Sequence, residues 1–123
     1  MKPKYSLFKN ASYALSGVKF LLKDEMAFRI EFTIILPLIC LSLFFPISFL
    51  EHFVLVFVLV LILIVEALNS AIEACVDLCT SEFHILAKKA KDCASAGVLF
   101  SVVLAIITWS FILFDMAREW MIK

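Results

Sequence analysis

Five side chains able to do acid–base or ligand chemistry recur at helical spacing in the middle of this chain: Glu66, Asn69, Ser70, Glu73 and Asp77. They stand at i, i+3, i+4, i+7 and i+11, so on an α-helix all five project from one stripe. Ala67, Ala71 and Ala74 run beside them and are small enough to let another helix approach closely. Carboxylate and amide oxygens suit a hard cation such as Mg²⁺, which takes one or two carboxylates and fills its other positions with water or phosphate oxygens. A carboxylate of the same stripe could instead act as a general base toward an attacking hydroxyl. Glu66 directly follows the apolar run Val54–Val65, which places it in or beside a bilayer. A bare carboxylate at mid-bilayer costs roughly 2.5–3.5 kcal/mol, so acids stacked there must face protein, water or a cation.

Two further polar clusters can meet this stripe. Lys23-Asp24-Glu25-Met26-Ala27-Phe28-Arg29-Ile30-Glu31 precedes the first long uncharged run. Ser81-Glu82-Phe83-His84 and Lys88-Lys89-Ala90-Lys91-Asp92-Cys93-Ala94-Ser95 precede the last. Phosphoryl transfer needs a metal bridging phosphate oxygens, a cation to offset charge and a base near the attacking hydroxyl; carboxylates could ligate such a metal or act as the base, and a lysine could be the cation. Two glycines in the whole chain, Gly17 and Gly97, exclude both a Walker loop and a glycine-rich kinase loop. Any nucleotide site must therefore be assembled from helices. A competing use of Glu66 and Glu73 is a proton or ion relay. Glu25, Lys91 and Asp92 fall outside such a path.

The elements that must position these groups follow from composition. Apolar residues make up 64% of the 123, and only 18% are charged. That is too little polar surface to cover a soluble core, which excludes a disordered chain and a water-soluble enzyme. Phe32–Leu50 and Cys93–Phe114 carry no formal charge, and each is long enough to cross about 30 Å of hydrocarbon. His52–Val65 becomes a span if its helix continues past Glu66. Leu7–Leu22 alternates apolar and lysine-bearing faces at the helical period, the pattern of a helix lying in the interface. The expected fold is an all-α membrane protein of one domain over residues 1–123. It has a surface helix at about 5–25 and transmembrane helices at about 30–50, 52–78 and 92–116.

Lys2, Lys4, Lys9, Lys19, Lys23 and Arg29 precede the first span, and Lys88, Lys89 and Lys91 lie between the second and third. The positive-inside rule makes both regions cytoplasmic. Every candidate polar site then faces ATP and magnesium. The first 25 residues lack an uninterrupted apolar core before a cleavage site, so no cleavable signal is expected. Pro46 stops or kinks one helix, and Ser48-Phe49-Leu50-Glu51 reads as a capping box opening the next. Cys40, Cys75, Cys79 and Cys93 read as buried, reduced thiols, and Trp109 and Trp120 as interfacial anchors.

Three motifs carry a resemblance to a known family. They are Glu25-x-Ala27-Phe28-Arg29-x-Glu31, Glu66-Ala67-Leu68-Asn69-Ser70-Ala71-Ile72-Glu73-Ala74-x-Val76-Asp77, and Ser81-Glu82-Phe83-His84 with Ala90-Lys91-Asp92-x-x-Ser95. From about Lys9 to Phe114 the chain resembles the prokaryotic diacylglycerol kinases, small integral membrane enzymes of the bacterial cytoplasmic (inner) membrane. The resemblance implies a homotrimer with active sites between subunits, and ATP, Mg²⁺ and a membrane lipid as partners, with no nucleic acid. It implies Glu66 as general base, with Glu25 and Glu73 binding the metal. It implies nucleotide contacts at Tyr13, Gly17, Glu25, Asn69, Glu73, Glu82, Phe83, His84, Lys91 and Asp92. Lipid contacts fall at Glu25, Arg29, Glu31, Glu66, Ser95 and Trp109. Asn69-Ser70, Cys93-Ala94-Ser95 and Thr108-Trp109 lean, by family pattern, toward diacylglycerol over the undecaprenol taken by kinases of the same fold. The chain departs from the pattern at Ser6, Phe44, His52 and Phe83, where an arginine, a tryptophan, a basic residue and a phenol are usual.

Overall fold

Ser6 opens the first helix: its backbone is extended and its hydroxyl faces the Lys9 N–H at 3.5 Å. The helix it starts, α1, runs Leu7–Asp24 and buries no residue within the chain. Its apolar side chains, Phe8, Leu15 and Phe20 among them, are exposed on the single chain. The computed structural model describes residues 4–123, so Lys2 of the basic N-terminal group lies outside the described residues. Three more helices follow, α2 (Met26–Ser42), α3 (Phe49–Cys79) and α4 (Ile85–Ile122), and the described residues hold no strand.

Glu25 is the elbow between α1 and α2. Its backbone is extended, at φ −105° and ψ 105°, which ends one helix and caps the next. The Arg29 guanidinium reaches back to donate to the carbonyls of Leu22, at 3.2 Å, and Lys23. Those are among the unpaired carbonyls at the end of α1, and a cation there also complements the helix dipole.

α2 ends at Ser42, earlier than the expected limit near residue 50. Leu43, Phe44 and Phe45 donate three residues back, to Cys40, Leu41 and Ser42, tightening the end into a turn. Phe45 precedes Pro46, whose ring disfavours helical backbone at that position. Ser48 and Glu51 then form the reciprocal capping box, at 3.2 and 3.0 Å, and start α3.

α4 begins at Ile85, some seven residues before the expected start near residue 92. His84 makes this possible: its Nδ1 accepts the Leu86 N–H at 3.1 Å, capping the helix. Leucine, alanine and lysine then favour the helical state. The lysine cluster therefore rides on a helix, and only Thr80–His84 connect α3 to α4. α3 and α4 are each long and apolar enough to cross a membrane. α2, at 17 residues, is about 25 Å long.

α3 lies between α2 and α4. Ile35, Val58, Leu59, Ile62 and Ala105 form the core, with Leu38, Leu63, Val102 and Trp109 packed around it. So thin an array cannot shelter much. All four cysteines are unpaired as expected, but they are exposed on the chain rather than buried, because they point away from this single seam.

Trp120 is exposed, whereas Trp109 is turned inward and is not a free interfacial anchor. Its indole N–H donates to the Leu55 carbonyl at 3.3 Å, and its ring meets Phe45 edge-on at 6.2 Å. Trp109→Phe removes the donor together with the pyrrole part of the indole. It is expected to cost at least about 0.6 kcal/mol, the mean for interhelical hydrogen bonds in membranes, plus the packing of the lost atoms. Thermal unfolding in one detergent checks this; an unchanged midpoint would mean that the hydrogen bond does not help clamp α4 to α3.

Candidate active site

The polar stripe of α3 emerges gradually from the protein. Glu66, Asn69 and Ser70 are buried, Glu73 is half-buried and Asp77 is exposed. Helical spacing puts them in one line, and the buried residues of α3 end at Ser70, one turn short of Glu73. The Asn69 amide donates to Glu73 Oε1 at 3.2 Å, so the two move as one unit. Glu25 from the elbow, Glu31 from α2 and Glu73 all stand within electrostatic range of the Glu66 carboxylate. Three separate segments thus place Glu25, Glu31 and Glu73 in the electrostatic field of Glu66.

Several oxygens there have no partner. Glu31 Oε2, Asn69 Oδ1 and Ser70 Oγ are buried without a hydrogen bond. Buried polar atoms are nearly always satisfied, so these orphans fit positions completed by a ligand, Glu31 in the cavity it shares with Trp109 and Ser70 in the cleft between α1 and α3. Their chemistry is all hard oxygen, which fits a divalent cation with phosphate. Among the described residues no three His, Cys, Asp or Glu side chains converge on one ion position. A cation would take one or two carboxylates from this chain and other oxygens from phosphate or water.

Next to this site, a cleft of about 640 Å³ opens where α3 meets α4. Glu82, Phe83, His84, Lys91 and Asp92 all line it. Lys91 donates across the cleft to Asp77, and that hydrogen bond holds its ammonium above the usual lysine range, so it stays cationic. Asp92 pairs with Lys88 one turn away, and His84 spends Nδ1 on its cap. Phe83 is exposed and offers a bare ring face.

Other expected contacts are placed differently. Gly17 and Glu25 share a cleft of about 480 Å³ between α1 and α3. Tyr13 and Ser95 are exposed on the chain. Arg29 is engaged at the elbow. Trp109 packs at Leu55, about 16 Å along α3 from Glu66. It is linked to Glu31 through an almost wholly apolar cavity of about 300 Å³ that both residues line.

Sequence reasoning placed Asp77 on the stripe without a role, and the i+11 spacing was its only signal. It missed Thr80, whose hydroxyl exchanges hydrogen bonds with the Glu82 backbone at 3.2 Å and shapes the cleft's floor. No spacing rule points to that turn.

Residues 12–113 match the sequence model of the prokaryotic diacylglycerol kinases, a span holding the acid stripe and the adjoining clefts. The chain belongs to that family. The diacylglycerol kinases of Escherichia coli (strain K12) and Shigella flexneri are each 37% identical to it over 109 residues, covering 89% of this chain and 89% of theirs. Membership in a kinase family implies metal-dependent phosphoryl transfer, in keeping with the oxygen-rich stripe. The matched span begins inside α1 and ends inside α4, so the family's shared part includes every cluster described above.

Proposed function

We propose that this chain transfers the γ-phosphoryl group of ATP to the free hydroxyl of diacylglycerol, giving phosphatidic acid at the cytoplasmic face of the bacterial inner membrane. The observation that carries the reading is a buried Glu66, flanked by Asn69 and Glu73, in a chain of this family. Glu66 takes the proton from the lipid hydroxyl, whose oxygen attacks the γ-phosphorus. The bond from that phosphorus to the bridging oxygen breaks, and ADP leaves. Shelter from water is how a protein adjusts a carboxylate's proton affinity toward working pH. Asn69 holds Glu73 in place, and Lys91 offers positive charge toward the nucleotide phosphates. Glu25 and Glu73 would hold Mg²⁺, which when bound neutralises phosphate oxygens and aligns them.

The layout follows from the same chemistry. α1 lies on the cytoplasmic surface, its lysines toward anionic headgroups. α2 is the third span: its 17 residues, extended by the apolar turn to Pro46, reach across with little to spare. Tyr13 and Ser95 are exposed on the single chain, which supports a homotrimer whose neighbouring copies complete each site. The lysine distribution supports a cytoplasmic N-terminus.

The direct test incubates purified protein in lipid micelles with labelled ATP, magnesium and diacylglycerol. Labelled phosphatidic acid is expected. A parallel reaction with undecaprenol sets the acceptor, and faster turnover of that alcohol would overturn the choice of diacylglycerol.

A further inference from the structure

Lys91 has no acid at helical spacing on α4 to hold it: Ala87, Lys88, Ala94 and Ser95 stand three and four residues away. Asp92, the acid next to it, pairs instead with Lys88. Its partner comes from α3, where Asp77 accepts its ammonium across the cleft that both residues line. The two side chains are 41% and 66% exposed, and an ion pair so open to water adds little to stability. What the pair fixes is a direction. Lysine carries its charge on a flexible four-carbon stem, and its ammonium has three N–H groups. Asp77 takes one of them and leaves two free. The ammonium held in this way stands within electrostatic range of Glu73, one turn before Asp77 on the stripe.

We propose that Asp77 is a positioning residue, which holds Lys91 in the cleft beside Glu73 so that its two remaining N–H groups meet the phosphates of MgATP. The proposal rests on the lipid-kinase reading and gives the last acid of the stripe a role. Repulsion between Asp77 and the phosphates is screened by solvent and offset by the ammonium it pairs with. The ordering of the lysine stem, in contrast, is complete before the nucleotide arrives, and that cost is no longer charged against binding.

The test is a double-mutant cycle on the full-length protein, with Asp77→Ala, Lys91→Met and the two together. Asp77→Ala should raise the KM for MgATP about 3- to 10-fold, the worth of one such hydrogen bond, while kcat at saturating MgATP falls far less. With Lys91→Met already in place, the same change should move that KM by less than about twofold, because no ammonium is left to position. Asp77→Glu, which keeps the carboxylate, should recover most of the loss. Should Asp77→Ala not fold, Asp77→Asn carries the same comparison. An unchanged KM in the single variant overturns the proposal. So does a lowered one, which would show Asp77 competing with the nucleotide for Lys91. An equal rise with and without Lys91 overturns it too, because Asp77 would then act on the metal or the fold by itself. Failure of the wild type to phosphorylate any lipid overturns the kinase reading and this proposal with it. An active wild type whose KM for MgATP is unmoved by Asp77→Ala overturns this proposal alone.

Discussion

Glu66→Gln is expected to lower kcat by about 10²- to 10⁴-fold, the usual contribution of a positioned general base. Glutamine keeps the size and hydrogen-bonding reach of the side chain but cannot accept the proton from the lipid hydroxyl. Folding should not suffer. Glu66 is buried and within electrostatic range of Glu25, Glu31 and Glu73, so neutralising it relieves repulsion among like charges. Thermal stability in detergent is therefore expected to hold or rise while turnover collapses. Activity and unfolding measured on the same preparation separate the two effects. A variant that phosphorylates diacylglycerol at near-normal rates would remove Glu66 from the chemistry, whatever its stability.

Glu73→Gln should act on a different parameter. The Glu73 carboxylate is half-buried, accepts the Asn69 amide at 3.2 Å and stands between buried Glu66 and exposed Asp77 on the stripe. Removing its charge is expected to raise the apparent KM for MgATP by about 10- to 100-fold, the scale seen when groups supporting a bound metal are lost. The KM for diacylglycerol should move far less, because Glu73 is proposed to hold the metal and not the lipid. Titrating Mg²⁺ at fixed ATP supplies the check. An unchanged midpoint in the variant would take Glu73 out of the metal site and leave Glu25 to be tested alone.

Some of this site was plain in the order of residues. The stripe from Glu66 to Asp77 needed only helical periodicity, because side chains three and four apart must share a face. The Ser48–Glu51 cap was equally local: four consecutive residues contain both donors and both acceptors. Other features depend on groups brought together from afar. Asp77 and Lys91 are 14 residues apart and meet only because α3 and α4 fold back on each other. The inward turn of Trp109 depends on a carbonyl 54 residues earlier. The early start of α4 depends on the tautomer and rotamer of one histidine, which no periodicity encodes. The exposure of the four cysteines reflects how thin the helical array is, and hydrophobic residue types alone do not distinguish a core-facing position from a lipid-facing one.

Sequence alone determined that this is a helical membrane protein with acids on one face of a helix, since composition and spacing are properties of the chain itself. It also settled the family, through motifs too specific to arise from apolar patterning. Only the tertiary structure decided which acids are sheltered, that Glu25 sits at an elbow held by Arg29, and that Ser70 is the serine left unpaired beside Glu66. The physical reason is that burial and hydrogen-bond partnership belong to pairs of segments, and each depends on how α1, α2 and α4 pack around α3.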